Sequence, residues 1–506
     1  MSFVDHVRSS PDKPAVIAAG NGEQLSFSEL DSASRRLACL LRRELAEGAR
    51  VALLLENGPG YFIASWACRR SELRFVPVNW HLNRNEAGYI VSNSDAEVLI
   101  ASPTLATLAT ELVASSPCLK FLLSDGDEFG NFRSLASAIA AEPDEPLLPE
   151  REGNFMFYSS GTTGQPKGIL RKLTGDPFGT HLPIERIIAE RFDFDPKTVF
   201  YSPAPLYHAA PLGWSMATQT LGGTAVIAPR FDAEATLRHI ERHRITHAQF
   251  VPTHFVRMLQ LPREVRQRYD VSSLVMVIHA AAPCPVEVKE RMLEWLGPII
   301  YEYYGASEGG FTMVGPREWL ANKGTVGRPV GGTIQVVDDQ GLEVPVGVTG
   351  HLAFDQPAPF EYHKDPDKTK AFFDAQGRAR PGDMGWLNED GYLFLADRSS
   401  NMIISGGVNI YPQEAEAVLT LHPAIRDVAV IGVPDRDMGE AVKAVVELAA
   451  GYAPGDALAA ELIAYCRARL SKFKCPRSVD FVHALPRLPS GKLLKRELRK
   501  LYWESK

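Results

Sequence analysis

A chain of 506 residues is too long for one hydrophobic core, which stops growing near ~250–300 residues, so at least two domains are required. With 45% hydrophobic and 23% charged residues the composition is globular and excludes a disordered chain. The balance of 54 basic against 61 acidic residues, net −7, argues against a nucleic-acid partner, whose phosphates need a dense basic surface.

Residues 25–125 alternate helix and strand. In SFSELDSASRRLACLLRREL the residues Leu30, Leu37, Leu40 and Leu41 form one helical face behind a Ser28 cap, and VALLLE follows as a short buried strand. YFIASWACRR then reads as helix, and RFVPVN and AEVLIAS as strands. The alternation resumes over 199–300, where TAVIAP, HAQFVP, SLVMVIHA and IIYEYYG are strand-like and ATLRHIERH and VEVKERMLEWL helix-like. Strands separated by helices predict parallel βαβ layers. From 324 to 397 short β runs divided by Gly and Pro predict a small β subdomain. Beyond it, EAEAVLTLH, DVAVIGVP, AVKAVVEL, ALAAELIAYCRARL and SVDFVHAL suffice for a separate α+β domain. The expected class is therefore α/β: a large N-terminal domain of two α/β sheet layers plus a small β subdomain, then a smaller α+β domain. The boundary falls at 397–401.

Six scattered cysteines, Cys39, Cys68, Cys118, Cys284, Cys466 and Cys475, offer no CxxC pair and no histidine at metal spacing. Neither a zinc site nor a disulfide framework is signalled, and a reducing, cytoplasmic setting is expected. The N-terminus lacks an apolar signal core, and no window reaches the ~20 apolar residues of a membrane span. The basic stretch Lys492, Lys495, Arg496, Arg499 and Lys500 reads as a solvated helical face.

Residues 158–168, YSSGTTGQPKG, follow the strand-like NFMFY. Gly161, Gly164 and Gly168 allow positive φ and let backbone N–H groups approach a polyanion. The hydroxyls of Ser159, Ser160, Thr162 and Thr163 add donors, and Lys167 adds charge. This is a phosphate loop by composition. It is not a Walker A loop, because Lys167 lies between Pro166 and Gly168 instead of before Ser or Thr.

The segment resembles the phosphate loop of the superfamily that contains acyl-CoA synthetases, peptide-synthetase adenylation domains and luciferases. Further motifs follow in that family's order. Tyr303-Tyr304-Gly305-Ala306-Ser307-Glu308 resembles its YGxTE signature; alone, a Glu after a strand reads as a solvated loop residue. The resemblance implies that Tyr304, Gly305 and Ser307 border the nucleotide, and that Glu308 and Thr162 hold Mg2+ beside the triphosphate. Gly382-Asp383 resembles the motif whose carboxylate accepts from both ribose hydroxyls, a role suited to a group that only accepts. Asp397-Arg398 resembles the start of the interdomain hinge, with Arg398 near the ribose. The run His279-Ala280-Ala281-Ala282-Pro283 takes the place of the adenine segment, where Ala281, Ala282 and Pro283 leave room for a flat purine. Tyr207-His208 matches the aromatic-His pair at the acyl tunnel, and Pro489-Ser490-Gly491-Lys492 the motif whose lysine meets the carboxylate and α-phosphate.

The resemblance implies residues 1–397 as the ATP- and acid-binding domain, 398–401 as hinge and 402–506 as a mobile domain bearing Lys492. ATP, Mg2+ and coenzyme A are the expected cofactors. Adenylation would use Thr162, Glu308, Lys167 and Lys492 with His208 gating the acid, and rotation would then bring Gly406-Gly407 to the pantetheine. Ser400 stands where the family usually has Asp or Lys, and Val408 where it is often acidic. The expected activity is a carboxylate–CoA ligase, alone or as a homodimer. An acyl-AMP ligase loading a separate carrier protein and a non-catalytic nucleotide sensor are the alternatives. Candidate acyl walls are Pro211-Leu212-Gly213-Trp214-Ser215, His254, Ala306, Gly309 and Gly310, whose small members point to a bulky apolar acid: fatty, aryl-propenoic or steroid side-chain.

Overall fold

The structure is a computed structural model and describes residues 1–145, 148–159, 165–306, 308–355, 359–398, 401–487 and 493–503. The chain forms two compact units: Met1–Phe250, Leu261–Ile278 and Pro359–Lys370 make the first, and Val251–Gln260, His279–Ala358 and Ala371–Lys506 the second.

The first unit contains the expected α/β layers. One sheet is wholly parallel, in the order Arg133–Ser134, Phe121–Ser124, Ala96–Ala101, Arg50–Leu54, Arg74–Pro77 and Asn154–Phe155. A second runs Gln24–Ser26, Pro14–Ala18, Thr224–Ile227, Val199–Ser202, His247–Phe250, parallel after its first pair. Helix Phe27–Glu44 buries Phe27, Leu30, Leu37 and Leu41 against this core, each leucine contributing ~1.5–3 kcal/mol. Leu40 is only partly buried. The cap is Ser26, not the expected Ser28: Ser26 Oγ accepts from Glu29 N at 3.2 Å and Glu29 accepts from Ser26 N at 2.8 Å. Ser28 has no such reciprocal partner, because the carboxylate three residues on, Asp31, is held by Arg70 at 2.6 Å.

In the second unit, Ile334–Val337, Gly350–Phe354, Asp383–Leu387 and Leu393–Arg398 form an antiparallel four-stranded sheet, the expected β subdomain. The interval 324–397 does not stay together, however. Glu361–Tyr362 pairs with Lys167–Leu170, which also pairs with Phe157–Ser159, so residues 359–370 belong to the first unit. Strand Lys167–Leu170 otherwise exposes unpaired backbone groups on one edge, and a segment nearly two hundred residues away supplies them. The rest of the unit is α+β. Strands Val408–Ile410, Ile403–Ser405, Gly439–Leu448 and Ile425–Asp435, with Ser478–Val482 beside Gly439–Leu448, pack against helices Pro412–Leu419, Asp456–Arg467 and Lys495–Trp503. The last helix is not a purely solvated basic face: Lys495 reaches Glu416 at 2.8 Å and Arg499 reaches Glu440 at 2.8 Å. Among the described residues no helix is long and apolar enough to cross a membrane.

Candidate active site

Strand Lys167–Leu170 and strand Phe157–Ser159 flank the phosphate segment, with Ser159 opposite Lys167 in the ladder. Ser159 and Lys167 are thereby fixed at facing strand ends, while Ser160, Gly161, Thr162, Thr163 and Gly164 lie outside the described residues. Tyr158 donates to Asn93 Oδ1 at 2.7 Å, anchoring the entering strand. His208 is the cap residue of helix Ala209–Thr220, its ring 4.5 Å from that of Tyr207. On that helix Leu212 and Gly213 line a narrow, largely apolar cavity with Phe155, Phe157 and Met216. Trp214, 1% exposed, instead packs into the core against Phe192 and Phe194.

The second unit carries the motifs expected at the nucleoside. Ala281, Ala282 and Pro283 are exposed, and Ala281 has φ of 73°, a left-handed conformation that strains a residue with a Cβ. An uncluttered, strained turn of this kind suits the close approach of a flat base. Strand Ile300–Ala306 follows; its period of two places Glu302 and Tyr304 on one face. Tyr304 Oη donates to Asp383 Oδ2 at 2.5 Å, tying two motifs 79 residues apart. Asp383 in turn pairs with Arg398 across the ladder, so the two residues expected at the ribose are direct cross-strand neighbours. Glu308 occupies the turn into strand Gly309–Val314, half-buried. Ser307, Ser400 and Lys492 lie outside the described residues, as does the Arg398 side chain.

Gly406 and Gly407 form a two-residue hairpin between Ser405 and Val408, with φ of 58° and 78°. Two successive positive φ values demand this pair, and a Cβ on Gly406 would lie 2.3 Å from Met438 Cε. At Gly310, a candidate for the acyl wall, packing also requires the missing side chain, since a Cβ there would lie 2.7 Å from the Phe354 ring.

Two features escape the motif reading. Lys289, fully buried, places Nζ 2.7 Å from Glu302 Oε2 and 4.6 Å from the centroid of Trp319. His279 Nε2 lies 3.4 Å from the same carboxylate. The pair joins helix Val286–Leu296, which follows the Ala281–Pro283 turn, to the strand bearing Tyr304. A sequence signal existed: Lys289 stands three and four residues before Met292 and Leu293, on the apolar face. The other is Tyr362, whose ring lies under Lys167; nothing local in the sequence announces that contact.

Burial pushes the His254 imidazole down to about 3, with Arg257 adding to the shift, and Val251 N donates to its Nδ1 at 3.4 Å. The unfolded chain therefore binds a proton below ~6.5 that the folded chain refuses, so stability is full above that pH and falls as pH drops toward the folded value. Denaturant midpoints measured between about pH 6.5 and pH 5 should fall in the wild type. His254→Gln should flatten that slope by up to about 1.4 kcal/mol per pH unit; an unchanged slope would remove His254 as the cause.

The α/β layers with a smaller α+β region match the fold of adenylate-forming enzymes. The AMP-binding enzyme family matches residues 3–361, and the AMP-binding enzyme C-terminal domain matches residues 414–492. The chain belongs to the AMP-binding enzyme family. It is 34% identical to a feruloyl-CoA synthase of an Amycolatopsis species over 99% of this chain and 98% of the other. It is 30% identical to the fatty acid–[acyl-carrier-protein] ligase ScoC of Streptomyces coeruleorubidus over 98% and 95% of the two chains. The crystal structure of ATP-bound MatB from Rhodopseudomonas palustris superposes with a TM-score of 0.82 at 27% identity, covering 99% of each chain. The protein is accordingly an acid–thiol ligase that works with ATP, Mg2+ and coenzyme A.

Proposed function

We propose that this enzyme activates a bulky apolar carboxylic acid as its acyl-adenylate, releasing pyrophosphate, and then transfers the acyl group to coenzyme A. The observation that carries the reading is the Tyr304–Asp383 hydrogen bond with Arg398 opposite Asp383. It supports the reading because an oriented, acceptor-only group is what a ribose diol would need. In this reading Ser159, Ser160, Gly161, Thr162, Thr163, Gly164 and Lys167 would take the phosphates of ATP, Ala281, Ala282 and Pro283 the adenine, and Tyr304, Gly305, Ser307, Asp383 and Arg398 the nucleoside. Thr162 and Glu308 would hold Mg2+, which neutralises charge on the phosphates and makes pyrophosphate a better leaving group. Lys492 would steady the charge that develops as carboxylate oxygen attacks the α-phosphate, and His208 would border the acid.

In this reading residues 402–506 rotate against residues 1–397 about a hinge at 398–401. The rotation withdraws Lys492 and brings the Gly406-Gly407 hairpin to the pantetheine arm. The feruloyl group named in one relative, an aryl-propenoyl group, and the fatty acid named in another support a bulky, largely apolar acyl group. The net charge of −7 supports an enzyme without nucleic-acid partners, and the scattered cysteines without a CxxC pair support a cytoplasmic setting. A second acceptor is favoured by the carrier-protein ligase among the relatives. An acid panel assayed for pyrophosphate and for thioester separates the readings. Coenzyme A thioesters of fatty or aryl-propenoic acids are expected. Pyrophosphate without free thioester would favour a carrier protein, and silence across the panel a nucleotide sensor.

A further inference from the structure

We propose that Tyr362 is a positioning residue for Lys167: its ring face holds the ammonium toward the nucleotide phosphates without neutralising its charge. The proposal rests on the reading of Lys167 as a phosphate ligand. Lys167 Nζ lies 4.8 Å from the Tyr362 ring centroid, inside the ~6 Å reach of a cation–π contact. The register explains why they meet. Tyr362 pairs with Ile169, and Lys167 is two residues along the same strand, so its side chain leaves from the same face as a diagonal cross-strand neighbour.

The ring is fixed independently of the lysine. Tyr362 is 5% exposed, its N–H donates to Thr369 Oγ1 at 2.9 Å, and its ring meets Phe360 edge-on at 5.2 Å. The next residue, His363, donates its N–H to Gly168 O at 2.8 Å, and His363 and Lys364 both engage Asp95, at 3.4 and 2.7 Å. Segment 359–370 is thus bound to the phosphate-loop strand at its backbone and to the body of the first unit by its side chains.

No carboxylate pairs with Lys167 among the described residues. Asp365 is within electrostatic reach, but its carboxylate engages the Lys368 ammonium and accepts from Lys368 N at 3.1 Å. The distinction matters chemically. A carboxylate partner would have to be displaced by the incoming phosphates, whereas an aromatic face orients the cation and leaves its outer hemisphere and full charge available.

The test is direct binding of MgATP to the full-length enzyme by titration calorimetry, without acid or coenzyme A. Tyr362→Leu should weaken binding about five- to tenfold, and Tyr362→Phe should restore most of it, because the face and not the hydroxyl acts. In a Lys167→Ala background Tyr362→Leu should add no further loss. Unchanged affinity in Tyr362→Leu, an equal loss in both backgrounds, or a Phe variant as weak as the Leu variant would each overturn the proposal. If Lys167→Ala leaves ATP affinity intact, the phosphate-ligand reading itself fails; if it weakens ATP while Tyr362→Leu does not, only the positioning role fails.

Discussion

Lys492→Ala should lower ATP–pyrophosphate exchange by at least about 10²–10³-fold, the usual effect of removing a group that meets charge in the transition state. Thioester formation from supplied acyl-adenylate should survive, because in the rotation proposed for residues 402–506 this lysine has left before the thiol attacks. Lysine is suited to such a role because a compact cation on a flexible stem stabilises charge without demanding a fixed planar geometry. Lys495, three residues on, lies 3.8 Å from Asp397, next to the proposed hinge, and 2.8 Å from Glu416 on helix Pro412–Leu419. The chain that follows Lys492 is therefore anchored beside the segment about which rotation is proposed. Equal loss of both half-reactions in Lys492→Ala would sink the domain-rotation account.

Lys289→Met should destabilise the enzyme by about 3–5 kcal/mol, since it leaves Glu302 buried without its cation. Burial already drives the Glu302 carboxyl up from its ordinary range, and the Lys289 ammonium pulls it back. Replacing both partners, Lys289→Met with Glu302→Leu, should recover most of the loss, because two apolar side chains remove the charge along with its partner. Thermal unfolding of the single and double variants decides the matter. A double variant no more stable than the single one would show that shape, not charge pairing, holds this core together.

The motif residues are legible because their chemistry is carried by short, contiguous strings. Gly406-Gly407 announces a turn with positive φ, and Gly382-Asp383 an acceptor at a strand start, before any partner is known. The cap at Ser26 in place of Ser28 is not legible in the same way, because capping depends on which carboxylate is free: Asp31 is taken by Arg70, a residue 39 positions away. The packing at Gly310 is hidden for a similar reason, Phe354 coming from another strand to lie where a Cβ would be.

By itself the sequence determined the α/β class and the adenylating family, and through that resemblance it named the phosphate segment and the nucleotide motifs as expectations. Each of these is encoded by local periodicity or by a run of a few residues. Only the tertiary structure decided that Tyr304 orients Asp383, that Lys289 is buried on Glu302, and that Tyr362 returns to lie under Lys167. These contacts join residues 79, 13 and 195 positions apart. They arise from strand register and helix docking, which local propensity does not specify.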